Sequence, residues 1–324
     1  RDVGALRLAG LEGVVRGVGI GLDTEDDAVE TTVPGLTVDV ADPRVGLHQD
    51  DLLVGASGLH GVGAVADHDA VLVLGVRGFA VAGFLTLPLS LNPSLGLAVN
   101  VTGMLNICEA ARYRSGVKVI FSSSVAVYGE TEEDVTTEKA PWMWSGQQPG
   151  AALYGGSKII GENLGRLYSQ RYGVPFVSLR YSSVYGERQH RRAVNSAYIV
   201  DTIDAIRKAE RPVIPDDGSE VHDYVHLSDV ARANLMAMES DATGEAFNVA
   251  TGKATSLNRL VEIINEITGA GVQPVYQETA GAVRVTTSSE LSFSIEKIGA
   301  AIGWTPQVSI EEGIARLIAW RRGG

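Results

Sequence analysis

Two short segments, VKVIF (117–121) and PFVSL (175–179), are almost wholly apolar, and a stretch with helical spacing lies between them. No other feature constrains the fold as strongly. A strand that is apolar on both sides must be covered on both faces, and strands joined through a long helix run parallel. The joining helix is predicted over Tyr154–Tyr172, with Ile160, Leu164, Leu167 and Tyr168 along one stripe. The alternation extends outward. Val101–Arg112 reads as helix, Asp229–Met238 as helix and Ala246–Ala250 as strand. Leu257–Ile267 is an amphipathic helix with Thr255 or Ser256 as its cap. The last helix opens on a capping box, Ser309 with Glu312, and closes on the basic pair Arg321–Arg322. The expected class is α/β, a doubly wound parallel sheet with a smaller C-terminal cap. The sheet domain is expected from 1–178 plus about 225–250, and the cap from 179–224 plus 251–324.

Charge and cysteine content narrow the partners. A formal charge of −12 repels a phosphate backbone, which argues against nucleic acid. A small anionic ligand is still compatible, because a helix N-terminus can hold it locally. The single cysteine, Cys108, cannot close an intrachain disulfide and reads as a small apolar helix residue. That usage fits a reducing compartment, and with no basic-then-apolar leader a cytoplasmic location is expected. The apolar run Val71–Leu91 is long enough for a bilayer, but it carries Arg77 and Pro88. Two buried parallel strands with a turn is the better reading, so no membrane partner is expected.

The chemistry is concentrated in FSSSVAVYG (121–129) and in Tyr154-Gly-Gly-Ser-Lys158. Tyr154 and Lys158, at i and i+4, share one helix face. An ammonium beside a phenol favours the phenolate, so the Tyr154 pKa is expected to fall toward neutrality. Such a group can take a proton from a sugar or alcohol hydroxyl. Ser124, at the C-terminal end of an apolar strand, can share that proton. Strand ends of this kind are where open α/β sheets bind ligands. Hydride leaving the same carbon needs an acceptor, which a nicotinamide supplies. By itself Tyr-x-x-x-Lys is equally a half-buried tyrosine beside a surface lysine; the serine triplet is what adds specificity.

From Pro93 to Trp320 the chain resembles extended short-chain dehydrogenases/reductases, specifically nucleotide-sugar epimerases of the UDP-glucose 4-epimerase type. The pieces that carry the likeness are NVTGMLNICEAA (100–111), FSSSVAVYG (121–129), YGGSK (154–158) and LRYSSVYG (179–186). They continue through DGSEVHDYVHLSDVARA (217–233), FNVATGKATSL (247–257) and IGWTP (302–306). The resemblance implies a Rossmann-like fold, NAD as cofactor, a UDP-linked sugar as substrate and a homodimer. It implies Tyr154 as base, Lys158 as its partner and as a ligand of the nicotinamide ribose, and Ser124 as the bridge to the sugar hydroxyl. Ser122, Ser123 and Tyr181 would lie near the nicotinamide, and Asn100 would support the helix and strand around it. Ser183 would face the substrate diphosphate, and Asp223 and Tyr224 would stand where sheet meets cap. Three positions depart from the pattern: Ser183 replaces a frequent Asn, His222 an Arg that contacts the diphosphate, and Glu187 a Pro. Arg188, Arg191, Arg192 and Arg284 are candidate replacements for the missing positive charge, each equally readable as a solvated arginine. His222 has no companion His, Cys or carboxylate at ligand spacing, so no metal is expected.

Residues 1–98 differ from the rest: they contain no Lys, Tyr, Trp, Met or Cys. A dinucleotide fold should open with a strand and a Gly-x-x-Gly-x-x-Gly turn into a helix. Gly10, Gly13 and Gly17 follow an apolar stretch, but the last gap is one residue too long, and Asp39 stands about where a ribose-binding acid belongs. Gly58 and Gly61, in VGASGLHG, match the spelling better, but they leave too little chain for the strands before Ser122. Two readings remain open. Either this half is divergent and folds as the first strands, or the stretch is a misread frame.

The expected activity is NAD-dependent nucleotide-sugar 4-epimerisation, on a UDP-hexose or UDP-hexuronate, through a transient 4-keto sugar. A 4,6-dehydratase would need an acidic pair where this chain has Val125 and Ala126. An NADPH ketoreductase would not need the segments from 217 to 257. A non-catalytic NAD sensor or scaffold would be expected to lose Tyr154 or Lys158, and both are present.

Overall fold

The computed structural model describes residues 91–324, apart from 115, 130–134, 145–148, 190–193, 279–291 and 324. Before residue 91 it describes four short strand segments. Two of these, Thr32–Val33 and Leu36–Thr37, form an isolated antiparallel ladder. The chain then runs through β1 (Leu72–Leu74), β2 (Gly78–Val81), α1 (Pro93–Leu97), α2 (Gly103–Tyr113), β3 (Lys118–Ser124), α3 (Pro149–Tyr172), β4 (Phe176–Tyr181) and β5 (Ser183–Tyr185). Then come α4 (Val194–Arg207), β6 (Val221–His222), β7 (Tyr224–His226), α5 (Leu227–Glu239), β8 (Glu245–Val249), β9 (Thr255–Ser256), α6 (Leu257–Thr268), α7 (Glu296–Ile302) and α8 (Ile310–Gly323).

The main sheet has the order β8-β4-β3-β2-β1. Its first four strands are parallel. The fifth, β1, pairs antiparallel with β2, which corrects the reading of Val71–Leu91 as two parallel strands. Three residues separate β1 from β2, whereas a parallel crossover needs a dozen or more.

Alternate residues of β3 and β4 feed two separate cores. Val119, Phe121 and Phe176 pack with Met104, Cys108 and Ala111 of α2 and Tyr168 of α3. Ile120, Val177 and Leu179 pack with Val230, Ala233 and Ala237 of α5 and Ile298 of α7. The sheet is therefore covered on both faces, a doubly wound α/β arrangement. A third cluster joins α4, α6 and α8 through Ile199, Ile203, Leu260, Ile264, Ile314 and Leu317, against Tyr185 and Tyr224. Each such buried side chain contributes roughly 1.5–3 kcal/mol.

Local signals are mostly honoured. Ser256, not Thr255, caps α6, its Oγ accepting from the Arg259 amide at 3.1 Å. Ser309 caps α8, accepting from the Glu312 amide at 3.2 Å. The return half of that capping box is not made, because the Glu312 carboxylate turns to Arg316 one turn on. One feature had no sequence signal. The turn Ala98–Thr102 between α1 and α2 is π-helical. It buries Asn100, whose Nδ2 donates to Ser157 Oγ of α3 at 2.9 Å.

Candidate active site

Helix α3 lies against the sheet because three of its residues have no side chain. A Cβ on Gly161 would fall 2.4 Å from the Phe121 ring, and one on Gly165 2.0 Å from the Phe176 ring. On Gly155 it would fall 2.4 Å from the Ala126 carbonyl oxygen. Ala126 lies in the 3-10 turn Val125–Tyr128 that follows β3, and Ser124 caps that turn. The close seam delivers Tyr154 and Lys158 to the C-terminal end of β3.

There the side chains converge. Lys158, 3% exposed, donates from Nζ to the Ser122 carbonyl at 2.9 Å. Its ammonium stands 5.6 Å from the centre of the Tyr154 ring and 5.3 Å from that of Phe121. Tyr154 is hydrogen-bonded to Ser124. Ser122 Oγ and Tyr181 OH are 3.2 Å apart, and Tyr181 OH donates to Asn234 Oδ1 of α5 at 2.9 Å.

The electrostatics differ from expectation. Burial pushes the Tyr154 hydroxyl up to about 12, only partly offset by the Ser124 hydrogen bond. Burial also pulls Lys158 down to about 8, against the attraction of Glu162. The expected fall of the tyrosine toward neutrality is therefore not seen. Loss of water outweighs the Ser124 hydrogen bond, and the Lys158 ammonium is given to the Ser122 carbonyl.

Ser123 turns away from Ser122 and Ser124, as strand alternation requires. Its hydroxyl donates to Glu162 Oε1 at 2.7 Å. Arg180, its register partner on β4, donates to the same carboxylate twice, at 2.9 and 2.7 Å. Arg180 also donates to Tyr128 OH at 3.0 Å, and Tyr128 in turn donates to Asn248 Oδ1 at 2.6 Å. Sequence reasoning missed Glu162, Arg180, Tyr128, Asn248 and Asn234. For Glu162 a signal existed: Tyr154, Lys158 and Glu162 repeat every four residues along one helix face.

The other expected residues are distributed around this centre. Ser183 begins β5, pairs in register with Tyr224, and donates its amide to the Asp223 carbonyl at 3.0 Å. The Asp223 carboxylate accepts from Thr251 N, Thr251 Oγ1 and Gly252 N, each at 2.8 Å. His222 lies on the separate β6–β9 ladder with Nε2 2.9 Å from Glu220 Oε1. Arg188 is exposed, with a left-handed backbone at φ 64°. Gly10, Gly13, Gly17, Asp39, Gly58, Gly61, Arg191, Arg192 and Arg284 lie outside the described residues. No helix among the described residues is long and apolar enough to cross a membrane.

The donor set suits a nicotinamide ribose. An ammonium carries three N–H donors, and among the described residues Lys158 has one hydrogen-bond acceptor, which leaves donors for ribose hydroxyls.

A doubly wound sheet with serine at a strand end, and tyrosine and lysine a helical turn apart, defines an extended short-chain dehydrogenase/reductase. More narrowly, the chain belongs to the NAD dependent epimerase/dehydratase family, which it matches over residues 89–250. A putative UDP-glucose 4-epimerase of Methanocaldococcus jannaschii is 36% identical over 232 residues, 71% of this chain and 72% of that protein. The crystal structure of a Thermotoga maritima UDP-glucose 4-epimerase with UDP-glucose is 31% identical, with a TM-score of 0.65 and 74% of each chain covered. The Thermus thermophilus UDP-glucose 4-epimerase complex with NAD is 28% identical, with a TM-score of 0.65, covering 76% of this chain and 78% of that one.

Proposed function

We propose that this chain is an NAD-dependent nucleotide-sugar 4-epimerase acting on a UDP-linked hexose or hexuronate. The observation that carries the reading is the convergence of Ser124, Tyr154 and Lys158 at the end of β3. Val125 and Ala126 stand where a dehydratase needs an acidic pair, so elimination of water has no acid or base beside the serine. NAD, when bound, supplies a hydride acceptor and a positive charge beside the phenol, which favours the phenolate. Tyr154 then takes the 4-hydroxyl proton and returns it to the same oxygen. Ser124 shares that proton by hydrogen bonding. Lys158 holds the nicotinamide ribose, with Ser122, Tyr181 and Asn100 around it, while Ser123, expected beside the nicotinamide, is instead given to Glu162. Gly10, Gly13, Gly17 and Asp39 are the proposed pyrophosphate and ribose contacts, and Ser183, Arg188, His222 and Arg284 the proposed substrate contacts. The proposed division is the sheet domain, 1–178 with about 225–250, against the cap, 179–224 with 251–324.

We further propose a cytoplasmic homodimer. The outer faces of α2 and α3 support it by exposing Leu105, Tyr113, Ile160, Leu167 and Tyr172, side chains that a second copy would cover.

The test is a panel of UDP-hexoses and UDP-hexuronates with bound-cofactor analysis. Interconversion of two 4-epimers with no net NADH is expected. Accumulated 4-keto-6-deoxy sugar would reassign the chain as a dehydratase, and steady NADPH oxidation as a ketoreductase. Bound NAD without turnover of any sugar would make it a sensor or scaffold.

A further inference from the structure

We propose that Glu162 is a positioning residue for Lys158, a buried carboxylate that ties β3 to α3 and serves as the counter-charge shared by Lys158 and Arg180. The proposal rests on the reading that Lys158 serves the Tyr154 chemistry.

Lys158 and Glu162 hold two successive residues of the same strand end. Lys158 donates to the Ser122 carbonyl at 2.9 Å, and Glu162 accepts from Ser123 Oγ at 2.7 Å. Glu162 is 4% exposed and Arg180 8%, so both charges are withdrawn from water. The guanidinium grips the carboxylate with two donors, and Arg180 is in register with Ser123, so the pair is fixed by strand pairing and side-chain geometry together. Lys158 stands one helical turn before Glu162, and the carboxylate acts on the ammonium through space. Around Nζ the other neighbours are neutral: the Ser122 carbonyl and Phe121 ring from β3, and the Tyr154 ring from α3. Among the described residues Glu162 is thus the charge that opposes loss of the Lys158 proton in a dry environment. Arg180, standing behind Glu162, would add repulsion if the carboxylate were neutral.

The experiment is a pH titration of the purified protein carrying lysine labelled with carbon-13 at Cε, followed by NMR. The chain has six lysines, and K158M assigns the resonance. The Lys158 midpoint is expected near 8 in the unsubstituted protein. In E162Q, which keeps shape and can still accept from Ser123, the midpoint should fall by about one pH unit or more. The double variant E162Q/R180M removes both charges and tests the proposal if the single one fails to fold, since neutral replacement of a buried pair is tolerated. Its midpoint should lie between the other two. An unmoved midpoint in the double variant would overturn the proposal, because a merely structural Glu162 would not shift it. The titration needs no substrate, so absence of epimerase turnover would overturn the functional reading and leave this measurement decisive for Glu162.

Discussion

Two regions on either side of β4 each bury a carboxylate, and they bury it differently. Just before β7, Asp223 is surrounded by neutral donors, the Thr251 and Gly252 amides and the Thr251 hydroxyl. Burial still holds its carboxyl above the usual carboxylate range, with those hydrogen bonds pulling the other way. At the strand end, Glu162 faces a guanidinium and has an ammonium one turn away. Neutral donors satisfy a carboxylate where it stands, so Asp223 acts as a strut between β7 and the Thr251–Gly252 turn. A carboxylate among cations sets a field, and that field falls on the side chains proposed to do chemistry. The same functional group thus serves cohesion in one place and electrostatics in the other.

Substitutions test that contrast. The largest effect is expected at Tyr154. Y154F removes the proposed proton acceptor and keeps the ring, so turnover should fall by about 10²–10⁴. NAD binding, read by cofactor fluorescence, and stability should be near those of the unsubstituted protein. Near-normal turnover with a good UDP-sugar would remove Tyr154 from the mechanism.

D223A should do the reverse. It strands three close donors in a buried site and should cost about 3 kcal/mol of stability, measured by urea unfolding with NAD present. A stability change within about 0.5 kcal/mol would show that the Thr251–Gly252 turn does not depend on this carboxylate.

K158M gives a smaller stability effect than D223A, and its sign is the informative part. Folding lowers the Lys158 pKa from 10.5 to about 8. The protein therefore favours the neutral amine; stability is lost as pH falls from about 10.5 to about 8, and below 8 the full cost of the buried ammonium is present. A shift of that size is worth about 3 kcal/mol, the lost Ser122 hydrogen bond takes back about 1 kcal/mol, and so methionine should raise stability at pH 7 by about 2 kcal/mol while turnover is lost. The gain should shrink between pH 8 and pH 10.5 and vanish above. A variant less stable than the parent at pH 7 would mean that the Ser122 hydrogen bond outweighs the desolvation of the ammonium.

Much of this was legible in the sequence, for a physical reason. Local spacing encodes what lies on one element, and so Tyr154 with Lys158, the apolar runs of β3 and β4, and the cap at Ser309 could be read directly, with the cap of α6 narrowed to Thr255 or Ser256. The Glu162–Arg180 pair could not, because Arg180 reaches Glu162 only through the β3–β4 register. The direction of the Tyr154 shift was also hidden. Adjacency of a lysine is visible in a string of letters, whereas the water lost around a phenol depends on everything packed over it. The π-helical turn that points Asn100 at Ser157 left no composition signal.

The glycine seam of α3 has a consequence for mutational scanning. Gly155, Gly161 and Gly165 approach a carbonyl oxygen and two aromatic rings that have little room to move. Alanine there should be tolerated about as badly as a change at Tyr154, although none of the three is proposed to touch sugar or cofactor. A tolerance map of this helix would therefore show two interleaved sets of forbidden positions, one set by the reaction and the other by spacing. They separate only when abundance and turnover are scored in parallel. Loss at the seam should track the amount of folded protein, and loss at Tyr154 should not.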